Sequence, residues 1–150
     1  MKFLGIDVGT SSVKVLVTDE SGEVVASVSE SYPLHQPHAG WTEQDPLDWW
    51  LATKKAVRAL QVPLAEIAGV GLSGQMHGLV LLDEQAAASR GESDRVLRRA
   101  LLWNDQRTAE QCARIESAFG GRAGAVRMVG NAPLPGFTLP KLLWVRENEP

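Results

Sequence analysis

The sequence predicts an α/β domain with a mixed sheet and helices on its faces. Three features carry that prediction. Residues 3–31 hold three β-rich runs joined by turns too short to contain a helix. An Asp45-Pro46 pair then opens a long segment with a helical apolar stripe. Beyond it, strand-like and helix-like runs follow one another, so the principal elements read β-β-β-α-β-β-α-α.

Taken in order, Phe3 to Ile6 is apolar on both faces, which predicts a buried strand. Val13 to Val17 is β-branched, Asp19-Glu-Ser-Gly22 is a turn, and Glu23 to Ser31 alternates, so the opening is an antiparallel meander. Tyr32 to Gly40 contains Pro33 and Pro37 and predicts an irregular loop; the proline between His35 and His38 argues against a helical metal pair. A helix is predicted from Pro46 to about Leu60, with Trp49 and Trp50 as core and rim packing. Strands are predicted at Val70–Ser73, Leu79–Asp83 and Val96–Leu102, with a polar hairpin loop at Glu84–Arg95. Helices are predicted at Thr108–Phe119, closed by Gly120-Gly121, at Ala123–Val129, and from Thr138 onward. The final helix is predicted to expose Leu142, Leu143 and Val145, and such a patch implies a homo-oligomer.

Composition narrows the functional classes. A net charge of -3 and no long basic cluster argue against a nucleic-acid surface. No apolar run approaches membrane-spanning length, which argues against a membrane partner. Cys112 is the only cysteine, so an internal disulfide is impossible and a reducing compartment, the cytoplasm, is the expected location.

The chemistry-bearing stretch is Phe3-Leu-Gly-Ile-Asp-Val-Gly-Thr-Ser-Ser-Val-Lys14. It delivers the carboxylate of Asp7 to the lip of a strand and follows it with a small-residue turn, Gly9-Thr10-Ser11-Ser12. A glycine turn lets phosphate approach backbone N–H groups, and one carboxylate can hold the Mg²⁺ that accompanies a phosphate. Gly69-Val-Gly71-Leu-Ser-Gly74 satisfies G-x-G-x-x-G, but its glycines lie in and at the end of a strand that another strand follows, so it does not predict a dinucleotide site. Met76 and His77 sit on a turn between apolar runs, where an imidazole can meet sugar hydroxyls. Trp103 offers an apolar platform for the C–H face of a sugar, and Asn104 and Asp105 offer hydrogen-bonding groups; either of the last two would also cap the following helix. Three polar loops at strand ends suggest one crevice.

GIDVGTSSVK, GWTEQDPLDWW, GLSGQMHGLVLLD, LLWNDQR and GNAPLPGFTLPKLLWV, in this order, resemble the FGGY carbohydrate kinases, and among them the xylulokinases. The resemblance covers essentially the whole chain. It implies the ribonuclease H-like fold of the actin-like ATPase superfamily, incomplete here at its C-terminus. It also implies transfer of the ATP γ-phosphoryl group to the 5-hydroxyl of D-xylulose with Mg²⁺. Asp7 then stands near the phosphoryl group and its metal, and Gly9, Thr10 and Ser11 meet the phosphates. Met76, His77, Trp103, Asn104 and Asp105 face the sugar. By the same resemblance, 1–150 is the sugar-binding N-terminal domain, while the base aspartate and the C-terminal nucleotide-binding domain lie beyond position 150. The chain by itself is then expected not to phosphorylate. A non-catalytic sugar-binding or structural fragment, and a kinase for a related ketose such as ribulose, are the alternatives.

Overall fold

A computed structural model describes residues 1–83 and 96–150, and the expected hairpin loop at Glu84–Arg95 lies outside them. In chain order the elements are β1 (Lys2–Val8), β2 (Ser12–Thr18), β3 (Val24–Ser31), β4 (Glu43–Gln44), α1 (Pro46–Ala59), a 3₁₀ turn (Leu64–Glu66), β5 (Ile67–Gly74), β6 (Ala100–Leu101), α2 (Ala109–Ala118), α3 (Arg122–Val129) and α4 (Thr138–Asn148). They fall into two units.

The first unit comprises residues 1–34 and 45–75. Its sheet has the order β3-β2-β1-β5. β1–β2 and β2–β3 are antiparallel, and β1–β5 is parallel. The mixed sheet follows from the connections: tight turns join β1 to β2 and β2 to β3, whereas α1 lies in the crossover that returns the chain parallel to β1. Strand period places Val13, Val15 and Val17 on one face, all fully buried. They pack with Leu4, Tyr32 and the Ala52, Ala56 and Leu60 positions of α1. Burying each such aliphatic side chain stabilises the unit by about 1.5–3 kcal/mol. The alanines let the helix approach the sheet closely. Asp45 caps α1 by accepting a hydrogen bond from the Leu47 N–H at 2.9 Å, and Pro46 occupies the first turn, where no amide is needed. Trp49 packs against the core, while Trp50 stays at the rim beneath the Lys54 ammonium. β1 is not buried on both faces as expected, because Phe3 is 41% exposed, while Leu4 is buried in the core and Ile6 and Val8 pack against it half-buried. The glycine-rich stretch lies within β5, as a strand.

The second unit comprises residues 35–44, 76–83 and 96–150 among those described. β4 pairs antiparallel with β6. Leu79 bridges Leu101, and Leu82 bridges Val96. The strands expected at Leu79–Asp83 and Val96–Leu102 are therefore reduced to two bridges and the short β6. One edge of β6 is taken by β4, a strand whose four-residue neighbourhood of Thr, Glu and Gln gave no apolar signal. The unit's core is Leu79, Leu101 and Val145, flanked by Leu81 and Trp144. Val145 is thus buried within the chain, contrary to the expectation that it would be exposed, because the inward face of α4 meets the Leu79–Leu101 bridge. Leu142 is exposed and Leu143 half-buried. Gly120 and Gly121, at φ of 72° and 94°, make the left-handed turn between α2 and α3 that side-chain-bearing residues resist. No helix among the described residues is long and apolar enough to cross a membrane.

Candidate functional site

In the first unit, Asp7 is exposed near the end of β1, in register with Lys14 on one side and Ser73 on the other. The turn that follows is closed by hydrogen bonds on both sides of Gly9. The Gly9 N–H donates to the Ser12 carbonyl at 3.0 Å, and the Gly9 carbonyl accepts from the Tyr32 hydroxyl. A Cβ on Gly9 would lie 3.2 Å from the Ser12 oxygen, so the glycine serves closure of the hairpin. Gly9's own amide is engaged inside the protein; of the two residues after it Thr10 is half-buried and Ser11 exposed.

In the second unit the expected sugar-facing residues divide sharply. Met76 and Trp103 are exposed at 70% and 48%. His77 is exposed as well, and its φ of 62° is left-handed. Asn104 is half-buried, its Oδ1 accepting from the Thr42 hydroxyl at 2.8 Å. Asp105 is fully buried. Its Oδ2 accepts from the Thr42 N–H at 2.7 Å, and its Oδ1 from the Arg107 N–H at 3.0 Å. The Arg107 guanidinium grips both oxygens, at 2.8–3.1 Å. Every lone-pair direction of that carboxylate is therefore spent inside the protein. Neither Asn104 nor Asp105 caps the next helix; the N-cap position of α2 is Thr108, whose hydroxyl donates instead to the Pro135 carbonyl.

Arg107 extends the network. Its guanidinium lies 3.8 Å from the Trp41 ring and 4.8 Å from the Trp144 ring, and it donates to Glu43 at 2.8 Å. Glu43 also accepts from Arg98, which reaches Glu149 at 2.6 Å. A planar cation set against two indoles that meet edge to face, gripping a carboxylate in a fork, is a role that lysine could not fill. The network ties Thr42, the Trp103–Arg107 loop and α4 into one frame, from which Trp103 projects.

Sequence reasoning passed over Lys141. It is fully buried, and its ammonium donates to the His77 carbonyl at 2.8 Å and the Gly136 carbonyl at 2.5 Å. The Thr138 hydroxyl also donates to His77 O, and the Phe137 ring lies 4.8 Å from the imidazole. One signal was available: Lys141 stands four residues before Val145, on the helix face that the core uses.

Burial lowers the Lys141 pKa from 10.5 to about 8, with the Asp105 charge acting in the opposite sense. Between those values the unfolded chain binds more protons than the folded one, so this group makes stability rise with pH through that window. Burial, and then the Asp7 charge, raise Tyr32 from 10.0 to about 12, so Tyr32 stabilises fully below pH 10 and loses that contribution as pH climbs toward 12. The buried Cys112 thiol, raised from 9.0 by burial, also titrates in the interval from pH 8 to 10, so it is the comparison with a Lys141 variant that isolates Lys141. Denaturant unfolding across that interval is expected to show the parent chain gaining stability relative to Lys141→Met; a pH-independent difference contradicts the assignment.

No group of three or more His, Cys, Asp or Glu side chains suited to a metal occurs among the described residues. The single exposed carboxylate of Asp7 suits Mg²⁺, which keeps most of its waters and takes its other ligands from phosphates.

The mixed sheet with its crossover helix, and a second unit presenting an indole and an imidazole on loops, define an α/β domain of the kind that binds small ligands. The chain belongs to the FGGY family of carbohydrate kinases: the model of the family's N-terminal domain matches residues 2–150. Its fold is accordingly the actin-like ATPase fold of these kinases. The chain is 47% identical to the xylulose kinase of Escherichia coli (strain K12), over 99% of its own length and 29% of the relative's. The crystal structure of a xylulose kinase from Brucella ovis superposes with a TM-score of 0.84 at 41% identity, covering 99% of this chain and 30% of that one. A gluconate kinase from Lactobacillus acidophilus superposes with a TM-score of 0.81 at 29% identity, covering 99% of this chain and 28% of that one. The chain thus spans a little under a third of the length of these relatives.

Proposed function

We propose that these 150 residues form the sugar-binding segment of an ATP-dependent kinase that phosphorylates the 5-hydroxyl of D-xylulose. The observation that carries this reading is the division within the second unit: a buried ionic frame holds the backbone, while Trp103, Met76 and His77 project from it. An indole stacks on the apolar face of a sugar, and an imidazole accepts and donates at its hydroxyls. Likeness to xylulose kinases along the chain supports the choice of ketose. Asp7 would hold Mg²⁺, which supplies charge neutralisation to the triphosphate, and Thr10 and Ser11 would meet its phosphates. Phosphoryl transfer depends on positioning and electrostatics, so this segment's share is to fix the acceptor hydroxyl, and alone it binds without turnover. Asp105 contributes through the frame, and Asn104 through Thr42.

Calorimetric titration of the chain with D-xylulose, D-ribulose, D-gluconate and glycerol tests the reading. Heat is expected with D-xylulose, weakened at least tenfold in His77→Ala, about the discrimination that an unmet hydrogen bond to a hydroxyl produces. No ATP consumption is expected when ATP and Mg²⁺ are added. Preference for D-gluconate would favour a second reading, which the gluconate kinase likeness supports; no heat with any ligand would overturn the sugar site.

A further inference from the structure

We propose that Lys141 is a positioning residue: it holds His77 in its left-handed conformation and so sets the direction in which the imidazole is presented. The inference rests on the reading of His77 as a sugar ligand. A left-handed backbone is uncommon for a residue with a Cβ; histidine enters it more readily than most, and surroundings that bind its main chain fix it there. His77 is one of only two non-glycine residues with positive φ among those described; the other is Gln61. Its neighbours supply the hold. The Lys141 ammonium reaches the His77 carbonyl at 2.8 Å, from a side chain with no exposed surface. The same ammonium reaches the Gly136 carbonyl at 2.5 Å, so a single cation gathers two loops. Thr138 adds a hydroxyl at 3.3 Å on His77 O, and the Phe137 ring sits 4.8 Å from the imidazole.

The choice of residue follows from the geometry. Two carbonyls converging in a buried space need a donor that carries no acceptor, and lysine offers three N–H groups on a flexible stem. An ordinary buried lysine would be paired with a carboxylate, yet here both contacts are to main-chain oxygens, and Asp105 supports the charge from a distance. The burial of the ammonium is therefore devoted to fixing the backbone at His77 and Gly136. The clamp lies behind the imidazole and leaves its ring exposed.

The test uses the isotope-labelled 150-residue chain, with Lys141→Met as the variant because it fills the same space without donors. The parent chain is expected to show a through-hydrogen-bond coupling between Lys141 Nζ and the His77 carbonyl carbon. In Lys141→Met, the His77 amide and imidazole resonances are expected to shift while those of β1 to β3 stay in place, and D-xylulose is expected to bind at least tenfold more weakly. Unmoved His77 resonances, or parent-like xylulose affinity, overturn the proposal. If Lys141→Met does not fold, the coupling in the parent chain decides, and its absence overturns the proposal. If the parent chain binds no ketose, the sugar reading of His77 fails, while the resonance arm still reports whether Lys141 holds that residue.

Discussion

Asp105→Ala is expected to lower the free energy of unfolding by about 3–5 kcal/mol, the cost of leaving a buried ionic partner uncompensated. Asp105 has no exposed side-chain surface and Arg107 almost none. Truncation strands the guanidinium against Trp41 and Trp144, with only Glu43, already shared with Arg98, to balance it. It also removes the acceptor of the Thr42 N–H. At about 2–4 °C per kcal/mol for a chain of this size, Tm should fall by about ten degrees. Asp105→Asn, which keeps an acceptor for Thr42 but loses the charge, should fall less. Thermal unfolding of the two variants checks this. A parent-like Tm in Asp105→Ala combined with lost sugar affinity would instead make Asp105 a direct ligand.

Gly136→Ala is expected to damage both stability and sugar binding. An added Cβ would stand 2.4 Å from the Trp103 carbonyl oxygen, a main-chain atom held by the Arg107 frame. One of the two loops must move. Such overpacking costs about 1–3 kcal/mol. The loop that moves bears Phe137, which packs on His77, and the Gly136 carbonyl that Lys141 binds. Weakening of D-xylulose binding by about tenfold, a separate loss of about 1.4 kcal/mol in binding, is expected alongside the stability loss, because the displaced loop carries the partners of His77. Melting and titration of the same variant check both arms. Intact affinity at reduced Tm would show that the approach of Gly136 to Trp103 serves packing alone.

The regular elements were legible because their signals are local. Alternation at Val13, Val15 and Val17 marks β2, Asp45-Pro46 marks the start of α1, and Gly120-Gly121 marks the end of α2. The glycine pattern was separable from a dinucleotide loop for the same reason, since its glycines lie inside the strand and no helix follows directly. The short pairs were not legible. β4 is two polar residues, Glu43 and Gln44, buried by what surrounds them rather than by their own apolarity. Val145 was misplaced because its partners, Leu79 and Leu101, are distant in the chain.

At the candidate site, residue types named the chemistry but not the division of labour. Trp103 and His77 are exposed as a sugar platform requires, and their identity alone suggested it. Asp105 carries the same hydrogen-bonding groups on paper and spends them all on Arg107 and Thr42. Gly9, read from the sequence as a point of phosphate access, also closes the hairpin through its N–H to the Ser12 carbonyl.

The sequence by itself determined the long strands and helices, the Asp45 cap, the family and the candidate chemistry, because propensity, periodicity and motif spacing are properties of near neighbours. Only the tertiary structure decided which polar side chains are buried as struts and which stay exposed. That distinction depends on burial and on partners brought from distant positions, as when α4 delivers the Lys141 ammonium to the carbonyl of His77. A buried donor must find an acceptor wherever the fold supplies one, and no local pattern records where that is.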